Sequence, residues 1–258
     1  MSAMVDHSGM RLGKQRPKHD PRTLLLASYL DTDVLPPPPA HESWTRKVRE
    51  WPMMRNDTVG DCTCAAAGHM IQEWTAYASH ELIPTDDEII KAYSAITGYD
   101  PVTGQNDNGA VELDVLNYWR KTGIAGRTIY AFAAIEPGNH DHVKDAVELF
   151  GSCYIGVGLP ISAQRQRVWS VPPGGPVGDG EPWSWGGHAV PVVGYNSHTL
   201  TVVTWGALKR MTWKFWDTYC DEAYAVLSLD WLREDRKNPR GIDMDALEAD
   251  LKAVTSGH

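Results

Sequence analysis

The chain has 258 residues, 42% of them hydrophobic, which is enough for one large core or two modest lobes and too apolar for a disordered chain. With 24 Lys and Arg against 33 Asp and Glu, the net charge of −9 excludes a broad basic surface for nucleic acid or anionic membrane. Four cysteines are too few for a disulfide scaffold, no C-x-x-C metal pattern occurs, and no apolar run has the length of a membrane span. With no secretory signal in the charged first thirty residues, the default expectation is a soluble, cytoplasmic protein.

Residues 1–43 are rich in charge and proline and end in Pro36-Pro37-Pro38-Pro39, which predicts an extended leader without a core of its own. The globular part begins at Trp44. Between Ala65 and Ala78, the residues Ala66, Met70, Ile71, Trp74, Tyr77 and Ala78 share one helical stripe, apolar enough to be central. A second helix follows Pro84: Thr85 and Glu88 have capping-box spacing, Ile89, Tyr93 and Ile96 make a core face, and Gly98 is the stop. After a polar loop at 99–110, Val111, Val115, Tyr118 and Trp119 mark a third helix ending at Gly123, and a short fourth lies around Val143 to Phe150.

Beyond Gly151 the texture changes. Cys153 to Leu159, Ala189 to Tyr195, Leu200 to Trp205 and Ala223 to Leu229 are short runs rich in Val, Tyr and Thr, bounded by turn residues, and read as strands. Helices first and strands second predict an α+β fold. The expected organisation is a helical lobe at 44–150 and an antiparallel strand-rich lobe at 151–232, with the site in the cleft between them. After an Asn238-Pro239-Arg240-Gly241 break, residues 233–258 form a linker and a helix. In that helix Met244, Leu247 and Leu251 share a face suited to docking on the body or on another chain.

The segment Asn56-Asp57-Thr58-Val59-Gly60-Asp61-Cys62-Thr63-Cys64-Ala65 carries chemistry. A polar turn delivers Cys62 to the start of an apolar helix, where free N–H groups and the positive end of the dipole favour thiolate over thiol. A thiolate nucleophile needs a base, and Gly186-Gly187-His188-Ala189-Val190 presents a histidine at the entry to a strand after two glycines. Trp183 and Trp185 lie beside it, as groove walls for an extended substrate or as loop packing.

These segments resemble those of papain-like cysteine peptidases, especially the compact bacterial and viral type. Along roughly Asp20 to Leu232 the order of landmarks is also similar: the nucleophile helix, Asp107-Asn108-Gly109, Gly123-Ile124, the strand at Cys153, Gly-Gly-His-Ala-Val, and Trp205-Gly206 before a Tyr-containing strand. The resemblance implies a two-lobed papain-like fold with Cys62 as nucleophile, His188 as base and acid, and Asn56 in the oxyanion position. It also implies no metal or organic cofactor and cleavage of peptide or isopeptide bonds in a peptide or protein substrate; Trp183, Trp185 and Gly187 are the substrate-side candidates from their place beside His188.

Three departures stand against that reading. Asn56 is a methylene shorter than the family's glutamine, and the carboxylates of Asp57 and Asp61 disfavour a thiolate. The family's Asn-Ser-Trp-Gly reads Val203-Thr204-Trp205-Gly206, so Val203 offers no hydrogen bond to orient His188, and Thr204 replaces it only with an irregularity in strand phase. The alternative is therefore a weakened scaffold serving as a binding or assembly module, for example on a virion, with partners met through the N-terminal arm or the C-terminal helix. A third possibility makes residues 1–43 an inhibitory leader in the cleft. Asn139-His140-Asp141-His142 reads as a helix cap in preference to a metal site, and Trp213, Phe215 and Trp216 as core or interface.

Overall fold

A computed structural model describes residues 6–31, 33, 35–231 and 243–256. The boundary expected at Leu232 and the Asn238-to-Gly241 break lie outside the described residues.

The apolar stripe after the polar turn forms α1 (Cys62–Tyr77), buried along nearly its whole length. Its Trp74 stacks on Trp119 of α3 (Glu112–Lys121), with ring centroids 5.5 Å apart. The predicted capping box starts α2 (Asp86–Thr97): Thr85 accepts from the Glu88 N–H while the Glu88 carboxylate accepts from the Thr85 N–H. Gly98 closes that helix in the left-handed conformation, φ 76°. These three helices share one apolar cluster.

A second cluster is built on an eight-stranded sheet. Its strands are β1 (Glu42–Ser43), β2 (Ile129–Ile135), β3 (Cys153–Leu159), β4 (Val168–Trp169), β5 (Gly186–Tyr195), β6 (Thr199–Thr204), β7 (Ala207–Thr212) and β8 (Cys220–Ser228). The order is β2-β8-β3-β5-β6-β7-β4, with β1 added to β5, and every pairing is antiparallel except β4 with β7. Central β3 is buried at every position, which accounts for its unbroken apolar run. α4 (His140–Phe150) packs on the sheet, and α5 (Trp213–Tyr219) carries Phe215 and Trp216 into this core. The structure is thus mixed α+β, a helical lobe against a largely antiparallel sheet.

One expectation needs correction. The first half is not purely helical: β2 crosses from it to pair with β8, because Ile129–Ile135 is a strand whose apolar run hides its period. The leader lends its apolar residues to the body, with Leu26 and Tyr29 buried in the sheet cluster. Of the two docking sites expected for the C-terminal helix α6 (Met244–Ser256), it takes the body: Leu247 is 2% exposed within the same cluster, and Tyr29 donates to Asp250 at 2.8 Å.

Candidate active site

The turn before α1 is held in an uncommon shape, with Met54 (φ 54°) and Arg55 (φ 66°) both left-handed. Asp107 fixes its far end. That carboxylate accepts from the Gly60 N–H at 2.9 Å and from the Tyr93 hydroxyl at 2.8 Å, joining the 107–109 loop to the cysteine turn. Cys62 is the first residue of α1, and its Sγ accepts from the Ala189 N–H at 3.4 Å. The sulfur therefore lies against the residue that follows His188. Cys62, opening the helical lobe's α1, and His188, in β5 of the sheet, thus come from opposite lobes, with the sulfur one residue along the strand from the imidazole.

His188 Nε2 lies 2.7 Å from Thr204 Oγ1. The ring of Trp205 stacks over the imidazole, with centroids 4.5 Å apart and planes at 17°. The strand irregularity that Thr204 needs is present: the β5–β6 register shifts between Val192 and Gly194, and Trp205 turns left-handed at φ 46°. With Nε2–H donating to Thr204, Nδ1 carries the lone pair; that nitrogen is buried and has no hydrogen-bond partner.

Asn56 is 3% exposed, and its amide donates to Asp61 Oδ1 at 3.4 Å. Asp61 is wholly buried, and burial pushes its carboxyl well above the usual range, which opposes the negative charge expected there. Cys64 is buried in the helical core and Cys153 in β3, while Cys220 is half-buried with its thiol donating to Glu222 O; all four cysteines are free. At the fourth helix Asn139 caps by accepting from the His142 N–H, and no metal-binding cluster occurs among the described residues.

The leader runs through the cleft. Lys14 N–H donates to Gly187 O at 3.0 Å, Gln15 N–H to Ala110 O at 2.9 Å, and Ala110 N–H to Gly13 O at 2.7 Å, so residues 13–15 lie between the lobes and bond to both. The fit is close enough that a Cβ on Gly13 would stand 1.7 Å from Gly60 O. Arg11 pairs with Asp107, Arg16 lies 4.0 Å from the ring centroid of Trp183, and His7 packs on Trp205 at 4.8 Å. Trp183 is therefore a wall of the leader's path. Trp185 packs on Trp205 at 5.5 Å instead.

Under this cover Cys62 is 1% exposed and His188 is wholly buried. Burial pushes the thiol up to about 12, against the pull of hydrogen bonds from the Ala189 and Gly13 backbones, and Asp61 and Glu112 add to the rise. Burial likewise pulls His188 down to about 3, with His7 contributing. Both groups are neutral in this arrangement. Sequence reasoning missed the clamp of Asp107 and Tyr93 and a carboxylate cluster at Glu112, Asp221 and Glu222. Their elements were legible, but their meeting depends on loop and strand packing.

No protein-family profile matches the sequence, and no curated protein matches it. Solved structures do. Xylellain, a cysteine protease from Xylella fastidiosa, superposes with a TM-score of 0.66 over 89% of this chain and 99% of its own at 14% identity. Procathepsin B S9 from Trypanosoma congolense gives 0.62 over 84% and 86% at 11% identity. Digestive procathepsin L 3 from the larval midgut of Tenebrio molitor gives 0.58 over 86% and 77% at 13% identity. The chain has the fold of the papain-like cysteine proteases.

Proposed function

We propose that this chain is a thiol hydrolase of peptide or isopeptide bonds, kept latent by its own leader. The observation that carries the reading is that the Cys62 sulfur, at a helix N-terminus, accepts from the N–H of Ala189, the neighbour of His188 in its stack with Thr204 and Trp205, beside an interlobe cleft that holds an extended segment. In the reaction, His188 Nδ1 takes the Cys62 proton as the sulfur attacks the carbonyl carbon, and returns it to the leaving amine. Water then attacks the thioester and regenerates the thiol. Thr204 and Trp205 hold the imidazole, and the Cys62 backbone N–H with the Asn56 amide faces the developing oxyanion. Asn56 must first leave Asp61, a hydrogen bond long enough to be weak.

Latency follows from burial. Displacing residues 13–15 admits water, which lowers the thiol pKa from about 12 and raises that of His188 from about 3, moving both toward an ion pair. A second reading, a scaffold for binding or assembly without efficient chemistry, is favoured by that neutral pair and by the engagement of Asn56. The pH dependence of Cys62 alkylation in a leader-displaced variant separates the two. A thiol titrating below an ordinary cysteine, together with peptide turnover lost in Cys62→Ala, supports the hydrolase; a thiol at or above it, without turnover, supports the scaffold.

A further inference from the structure

One leader side chain enters a built pocket. The Lys14 side chain is 0% exposed; its Nζ lies 2.8 Å from Asp221 Oδ1 and 2.8 Å from Glu222 Oε1, and donates to Gln15 O at 3.2 Å. Glu112 is also wholly buried, both its carboxylate oxygens lack hydrogen-bond partners, and its charge acts on Lys14. The pocket has room because Gly156 stands in β3: a Cβ there would come within 1.8 Å of Lys14 Cε. Trp183 closes one side, its ring centroid 4.9 Å from Nζ.

The walls belong to the folded lobes and not to the leader: Glu112 opens α3, Gly156 is in β3, and Asp221 and Glu222 are in β8. Their position relative to the thiol is fixed by the sheet. Gly156 pairs with Ala189, whose N–H reaches Cys62 Sγ, and the Lys14 backbone bonds to Gly187, next to His188. Any extended chain able to make those backbone bonds would present a side chain here. With the Asp221 and Glu222 carboxylates each 2.8 Å from a single ammonium and buried Glu112 acting on it, a neutral occupant leaves these acids without their counter-charge and an acidic one adds a further like charge. The order of preference is therefore cation, then neutral, then anion. The buried acids carry their own signature, since burial pushes Glu112 and Glu222 up while Lys14 opposes it.

We propose that the pocket of Asp221, Glu222 and buried Glu112 gives the substrate site of this chain a preference for lysine, whose side chain enters where Lys14 lies here. This rests on the hydrolase reading above. The test uses the full chain carrying Gly13→Val and Lys14→Ala, which removes both the close backbone fit and the pocket's occupant. Lys14→Glu runs in parallel as a second leader-displaced background. Peptidyl acyloxymethyl ketones with glycine beside the warhead and Lys, Leu or Glu one residue further, as Lys14 is one residue from the Gly13 backbone at the thiol, are compared by the rate of Cys62 thioether formation, with loss of the carboxylate leaving group. n-Butylammonium and n-butanol are compared by their effect on the melting temperature.

The Lys probe is expected to react at least about tenfold faster than the Leu probe in the double variant, and the Glu probe slowest of the three. Adding Glu222→Gln should bring Lys and Leu toward parity, and only butylammonium should stabilise the double variant. Equal labelling by all three probes would overturn the pocket as a substrate site and leave the hydrolase reading standing. No labelling by any probe, while butylammonium still stabilises, would overturn the hydrolase reading and the substrate assignment with it. Equal stabilisation by butylammonium and butanol would overturn the pocket's preference for a cation.

Discussion

His188 offers a quantitative test of how firmly the closed cleft excludes water. Its pKa falls from 6.5 in an open chain to about 3 in the fold, chiefly through burial. The folded state is therefore neutral at this site across the mildly acidic range, while the unfolded state takes up a proton below 6.5. The contribution to stability is complete above 6.5 and is lost as the pH falls toward 3, to a limit of about 5 kcal/mol; between pH 7 and pH 5 the loss is about 2 kcal/mol. His69, also buried and pulled down to about 4, contributes with the same sign. The buried acids Asp61, Glu73 and Glu112, pushed up by burial, contribute with the opposite sign. A direct comparison removes those common parts: His188→Gln keeps a polar group beside Thr204 but has no titration. Urea unfolding followed by Trp fluorescence at pH 7 and pH 5 should show the wild type losing about 2 kcal/mol more than His188→Gln. Equal losses in the two proteins would refute the claim that His188 is held neutral by burial.

Other substitutions probe separate parts of the account. Thr204→Val leaves His188 Nε2 buried without a partner and should cost about 1–3 kcal/mol of unfolding free energy, whereas Thr204→Ser should restore most of it. Asp107→Ala removes the acceptor shared by Gly60, Tyr93 and Arg11, so it should raise amide exchange in residues 11–15 and at Gly60, as read by hydrogen-exchange mass spectrometry; unchanged exchange would mean that the clamp does not hold the leader. Leu247→Ala should destabilise the whole fold by about 2–5 kcal/mol in urea unfolding, since the last helix packs into the sheet core; a change near zero would contradict that docking.

The fold was legible where local chemistry has one solution. Thr85, Glu88 and Gly98 write the limits of α2 into adjacent residues, and Cys153–Leu159 has no polar position to suggest anything but a buried strand. Ile129–Ile135 was hidden because a fully apolar run lacks a period, and its partner β8 lies far along the chain. At the site, Cys62 and His188 could be picked out from their flanking glycines and helix start. Thr204 could be named only conditionally, because its contact with His188 goes with a register shift and a left-handed Trp205 that strand alternation alone does not foresee. The opposition of Asp61 to a thiolate was legible from its place beside Cys62, whereas the larger effect, burial of the thiol, was not. The leader's Lys14 was invisible as a site residue, since its carboxylate partners come from α3 and β8.

In the proposed function the Cys62–His188 pair is competent for hydrolysis and silenced by the leader. Gly13→Val tests it most directly, because any side chain at residue 13 collides with the Gly60 carbonyl and displaces the leader from the thiol. Turnover of a quenched-fluorescent peptide library by full-length wild type, Gly13→Val and Gly13→Val/Cys62→Ala is the measurement. The account predicts little turnover by wild type, a large rise in Gly13→Val and its loss when Cys62 is removed. A folded Gly13→Val protein whose leader is displaced and which cleaves nothing, or cleavage that survives Cys62→Ala, would contradict it.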